Sequence, residues 1–148
     1  MNGLSKVWRI AHRARREFEE RALPLPRLMR LYARYNVAVE AERFCIAAID
    51  GFPRGACGLA SLHLVTLLGR GEVVYGRFID EGHTFVLLED DVVVDITADQ
   101  FGGPPVHVGP IHDPWHLPRR WSGQAERPAS PGEPSLRDDA TARGRFIR

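Results

Sequence analysis

Long apolar runs are missing from this chain. Among its 148 residues no hydrophobic stretch approaches the ~20 that a helix needs to cross a bilayer, so no membrane partner is expected. A charge of one sign is missing too. The formal net charge is +1, so whole-chain charge favours neither nucleic acid nor an acidic partner. Residues 1–20 carry charges throughout and have no apolar h-region, which excludes a typical signal peptide and predicts a cytoplasmic protein. Cysteine is scarce. Cys45 and Cys57 make no disulfide framework, and both are expected as thiols in a reducing cytosol. No internal repeat is present, and no acidic cluster has calcium-loop spacing. Glu89-Asp90-Asp91 reads more simply as a hairpin turn.

What is present suits one folded domain. The chain is 44% hydrophobic and 26% charged, with enough length for a real core. Leu4, Val7, Trp8, Ala11, Ala14 and Phe18 recur at three and four, predicting a helix over residues 4–21 that Pro24 and Pro26 end. A second helical stretch covers 27–49, with a break near Asn36 and an end at Asp50-Gly51. A third spans 57–68. It carries Leu59, Leu62, Leu64, Leu67 and Leu68, as a central buried helix would, and Gly69-Arg70-Gly71 stops it.

From Glu72 the period changes. Residues 73–79, 84–88 and 92–96 are rich in β-branched residues and read as strands, with a short fourth at 106–108. Helices first and antiparallel strands after them indicate an α+β fold. The domain is expected over 1–121. Residues 122–148, rich in Pro, Gly, Ser, Arg and Asp, are expected as a disordered tail.

Three residues in this layout carry chemistry. Cys57 lies between Gly55 and Gly58 at a helix start, where backbone can turn and present a side chain. Helix N-termini stabilise an anion, and a thiol attacks only as thiolate. His83 opens the second strand and suits the base that takes the thiol proton and later returns it. Asp95 lies in the third strand and suits the group that orients the imidazole. With a turn centred on Glu89-Asp90, Asp95 is expected opposite Thr84, next to His83. Alone, Asp95 also reads as a turn cap or a partner of Arg77. Cys45, inside an apolar helical stretch, reads as a buried core thiol. For a second oxyanion donor beside the Cys57 N–H, Gln100 and the loop N–H groups at Gly55 are candidates, neither preferred.

Other features read as structure. His107, His112 and His116 flank Asp113 in a Pro-rich loop without ligand spacing on a regular element, so no metal or other cofactor is expected. His63 reads as a satisfied core histidine. Trp115, Trp121 and Leu117 read as a cover over the sheet or a rim to the cleft. Arg9, Arg13, Arg15 and Arg16 read as a solvated helix face rather than a nucleic-acid surface, since aromatic interleaving is missing.

At Gly55-Ala-Cys-Gly-Leu-Ala-Ser61, Gly82-His-Thr-Phe-Val86 and Val94-Asp-Ile-Thr97 the chain resembles the transglutaminase-like branch of the papain-like cysteine protease superfamily, in its small bacterial and phage forms. Phe85 stands where that pattern commonly has tryptophan. The resemblance covers residues 50–101. It implies a Cys-bearing central helix packed on a small antiparallel sheet, with Cys57, His83 and Asp95 as a catalytic trio. The implied activity is thiol acyl chemistry on an amide of a peptide or protein: peptidase, glutamine deamidase or transglutaminase. The alternative is a non-catalytic peptide- or partner-binding module on the same fold.

Overall fold

Periodicity in the first 68 residues becomes four helices, and the change of period at Glu72 becomes a sheet. The computed structural model describes residues 3–36, 40–112 and 114–118. The expected tail at 122–148, together with Trp121 and Asp113, lies outside these residues. Helix α1 (Gly3–Glu19) buries Val7, Ala11, Ala14 and Phe18, a single face at spacings of three and four. Leu4 and Trp8, counted in the same stripe by pattern, are exposed on its flank.

The expected break near Asn36 is complete and separates α2 (Leu25–Tyr35) from α3 (Ala41–Gly51). Asn36 leaves helical geometry, and both its backbone N–H and its side-chain amide donate to the Tyr32 carbonyl, at 3.0 and 3.2 Å. Those bonds satisfy a helix end that would otherwise leave the carbonyl bare.

Helix α4 (Cys57–Leu68) has the bounds that the sequence pattern predicts. Every residue from Cys57 to Leu64 is buried, so this part of the helix is central, while Thr66 in the last turn is exposed. Gly69 ends it with φ of 65°, its N–H on the Val65 carbonyl at 3.0 Å.

The strands are β1 (Glu72–Phe78), β2 (Glu81–Leu87), β3 (Val92–Asp95), β4 (His107–Pro110) and β5 (Leu117–Pro118). They form one antiparallel sheet in the order β4-β3-β2-β1-β5, so the fold is α+β as expected. Both faces of the sheet are covered. Val86, Val94 and Ile96 join the main core with the helices. Phe85, Leu87 and Val93 form a second cluster, with Val74 and Ile111 packed on it.

The pattern reading did not contain β5. A short link, 111–116, carries the chain from one sheet edge to the other. The link includes a turn, with the His116 N–H on the His112 carbonyl at 2.9 Å. Described residues of the link pack on the Phe85 face: Ile111 on its apolar cluster and His116 edge-on to Phe85 at 5.1 Å.

Arg15 does not belong to the solvated arginine face. It is 11% exposed, with Nη1 and Nη2 on the two Asp99 carboxylate oxygens at 2.8 Å each. Nη1 also donates to the Ile96 carbonyl at 2.7 Å. This cation clamps α1 onto the chain segment that leaves β3.

Candidate active site

Cys57 opens α4, and no side chain caps that helix. The flanking glycines were expected to let the backbone turn and present the Cys57 side chain. It is instead fully buried, at 0% exposure, as is Cys45. Access therefore does not separate the two cysteines; surroundings do. Cys45 lies in the apolar core, where burial pushes its thiol up to about 11. Cys57 lies near enough to the His83 ring to help raise that imidazole.

His83 sits inside β2, two residues after its start, rather than just before a strand. Its partner across β1 is Gly76, which has no side chain to crowd the imidazole. The register of β2 and β3 brings His83 and Asp95 together. Val86 pairs with Val94 and Leu87 with Val93, and one further step sets Asp95 opposite Phe85. Directly opposed residues share a face and faces alternate along a strand, so His83, Phe85 and Asp95 all lie on one face. The predicted pairing of Asp95 with Thr84 is off by one residue and would have turned Asp95 away from His83. The turn is responsible: Asp90 and Asp91 are both left-handed, with φ of 64° and 57°, and the Leu88 N–H closes on the Val92 carbonyl at 2.8 Å.

Asp95 is 1% exposed and accepts four hydrogen bonds. Oδ1 takes the Thr97 N–H at 2.8 Å and the Thr97 hydroxyl at 3.1 Å. Oδ2 takes His83 Nε2 at 2.7 Å and His116 Nε2 at 2.9 Å. Arg77, the other partner considered for Asp95, is exposed on β1. Burial alone would raise the carboxyl. The His83 charge and the histidine hydrogen bonds outweigh it and hold Asp95 well below the usual carboxylate range.

Burial alone would lower His83 as well. The Asp95 charge and hydrogen bond, with a smaller contribution from Cys57, raise it to about 10. His83 Nδ1 is buried and makes no full hydrogen bond. With Nε2 committed to Asp95, the Nδ1 side of the ring is the side left for Cys57. The closed hydrogen-bond set is thus His83–Asp95–His116, with Cys57 adjoining it at His83.

His116 escaped the sequence reading, which grouped it with His107 and His112. The three do cluster, with ring centroids of His107 and His116 4.7 Å apart, yet His107 Nε2 bonds the Pro110 carbonyl and His116 Nε2 turns to Asp95. No local spacing could announce this, because the link crosses the whole sheet to deliver the residue.

His83, Asp95 and His116 are also the described residues that could hold a metal, with one ligand atom each inside 4.8 Å. Their nitrogen–oxygen separations of 2.7 and 2.9 Å are hydrogen-bond lengths. Two ligands of one tetrahedral zinc, each at about 2.0–2.2 Å from it, stand roughly 3.4 Å apart. As arranged, the trio is a proton-linked network, and a metal would have to spread it by about half an ångström.

A cleft of about 640 Å³ adjoins the site, lined by Arg54, Gly55, Gly82, Gln100 and Phe101, with exposed Asp80 and Glu81. Phe101 meets His83 edge-on at 5.1 Å and stacks on Phe78 at 4.6 Å. Gln100 Nε2 is a buried donor without a partner. His63, read as a core histidine, is buried and bonds Glu17 at 2.6 Å. Trp115, read as a cover, stacks on His112 at 4.4 Å and packs against Gly103.

No protein-family model matches the chain, and no match to a curated protein or to a solved structure was found.

Proposed function

We propose that the protein is a cysteine-dependent amide hydrolase or acyltransferase in which Cys57 is the nucleophile, His83 the base and then the acid, and Asp95 the group that orients His83. One observation carries this reading: a single imidazole is held by a buried carboxylate at 2.7 Å and is also influenced by a helix-start cysteine. That is the relation a thiol nucleophile needs to its base, and a base to its orienting group. It is also the relation implied by the resemblance to transglutaminase-like proteins.

The chemistry follows from the arrangement. The thiol proton passes to His83, and the thiolate attacks the amide carbonyl. The oxyanion meets the Cys57 N–H at the start of α4. His83 returns the proton to the departing amine, leaving a thioester that water or a second amine resolves. The adjoining cleft has room for a peptide strand or a glutamine side chain. A peptide or protein is the expected substrate, and the cytoplasm, where both thiols stay reduced, is the expected location.

A second reading is favoured by the complete burial of Cys57 and His83. In it the polar network only holds the sheet together, and the cleft binds a peptide without turning it over.

Alkylation separates the two. Under the enzymatic reading, iodoacetamide at neutral pH labels Cys57 in the folded protein and spares Cys45, and His83→Ala slows Cys57 labelling by about a hundredfold. Equal labelling of both cysteines, indifferent to His83→Ala, would leave the binding module as the better account.

A further inference from the structure

His116 is built into the site as firmly as His83, on an element that no motif marks. Its ring is fully buried, edge-on to Phe85 at 5.1 Å and packed on His107 at 4.7 Å. Nδ1 accepts the backbone N–H of His112 at 3.2 Å, and the His116 N–H returns to the His112 carbonyl at 2.9 Å. The first of these bonds fixes the tautomer. With Nδ1 occupied as an acceptor, the ring proton sits on Nε2 and is donated to Asp95 Oδ2 at 2.9 Å.

The need for this donor follows from Asp95. A carboxylate at 1% exposure stays ionised only if its lone pairs are met. Thr97 satisfies Oδ1. His83 alone would leave Oδ2 partly bare and the carboxylate free to tilt about its terminal torsion. A neutral donor on Oδ2 holds the plane without adding a second positive charge beside His83. A charged donor there would compete with the imidazolium.

We propose that His116 is a positioning residue: it pins Asp95 so that Oδ2 addresses His83 Nε2, and it makes the thiol site depend on the link between β4 and β5. The inference rests on the assignment of Cys57 and His83 above. Its consequence is that the catalytic set is completed by the last described turn, so displacing that link would disable the site without touching Cys57.

The test uses the full chain and reads the rate of Cys57 alkylation in His116→Gln and His116→Asn, with His83→Ala as the floor. A glutamine amide reaches the position of Nε2; an asparagine amide does not. His116→Asn is expected to slow labelling about tenfold, as a misplaced orienting group does, and His116→Gln to stay within about threefold of the parent. Parent-like labelling in His116→Asn, with His83→Ala slow, overturns the role of His116 and leaves the Cys57–His83 pair standing. Equal slowing in both variants marks a packing role and also overturns it. If His83→Ala is without effect, the thiol reading fails and this one with it. Should the asparagine variant not fold, nitrogen NMR of histidines in the unaltered protein decides. A neutral Nε2–H tautomer at His116 is expected; a charged ring, an Nδ1–H tautomer, or displacement of that proton by stoichiometric zinc overturns the proposal.

Discussion

Asp95 is the side chain on which the most depends. It remains charged in a site almost closed to water because four donors surround it. Asp95→Asn would point an amide N–H at two imidazole N–H groups, or else turn and lose Thr97. It would also leave His83 charged without its counter-ion. A loss of about 3–5 kcal/mol in unfolding free energy is expected, read by urea denaturation, with Cys57 alkylation falling toward the His83→Ala rate. A loss under about 1 kcal/mol would show that the network contributes little to holding the sheet. The pairing of His83 with Asp95 could be anticipated from the sequence, because the types and order of these residues carry chemistry. His116 could not, because nothing local distinguishes its imidazole from those of His107 and His112.

Elements show the same division. Helix α4 was legible to the residue: its apolar content, the glycines before it and Gly69 after it are all local signals. Gly69 adopts φ of 65° in open space, so Gly69→Ala meets backbone strain and no clash. A cost of about 1 kcal/mol is expected, seen as a lower denaturation midpoint with unchanged slope. Helix α1 was legible as a helix but not as a clamp. Arg15 reaches Asp99 and the Ile96 carbonyl, and Ile96 follows Asp95 directly. Arg15→Met keeps much of the stem and removes the fork. It is expected to cost about 2–3 kcal/mol. It should also speed hydrogen exchange at the Thr97 amide, which donates to Asp95. Unchanged exchange there would disconnect α1 from the site.

Across the whole molecule, the buried titratable groups set opposing limits on stability. Burial holds His63 and His116 below the ordinary imidazole value, against the pull of Glu17 and Asp95. Both fold neutral, so their contribution is complete above the unfolded value of 6.5 and is lost as pH falls below it. Asp95, held low in the folded state, adds a further loss at more acid pH as it is forced to protonate. His83 acts in the other direction. Raised to about 10, its contribution is complete below 6.5 and declines as pH rises through about 10. Cys45, pushed up to about 11, adds an alkaline loss above 9. Thermal midpoints should therefore peak at about pH 6.5–7 and fall on both sides. His83→Gln should flatten the fall between about pH 7 and pH 10 while leaving the Cys45 loss above it. An alkaline limb indifferent to His83 would contradict the raised imidazole.

Local chemistry was enough to set the number and kind of most elements, the bounds of α4, the turn at Glu89–Asp91 and the three residues worth suspecting. Each depends on neighbours within a turn or two of chain, where periodicity, glycine and β-branching act directly. Four matters were settled only by the folded structure. The left-handed pair Asp90 and Asp91 set the register by one residue and put His83 and Asp95 on a common face. Packing closed fully over Cys57, which its flanking glycines do not indicate. Arg15 left the solvated face for a carboxylate 84 residues away. His116 crossed the sheet to complete the shell of Asp95. Burial and long-range pairing have no local signature, because their free energy comes from partners that the chain brings together only by folding.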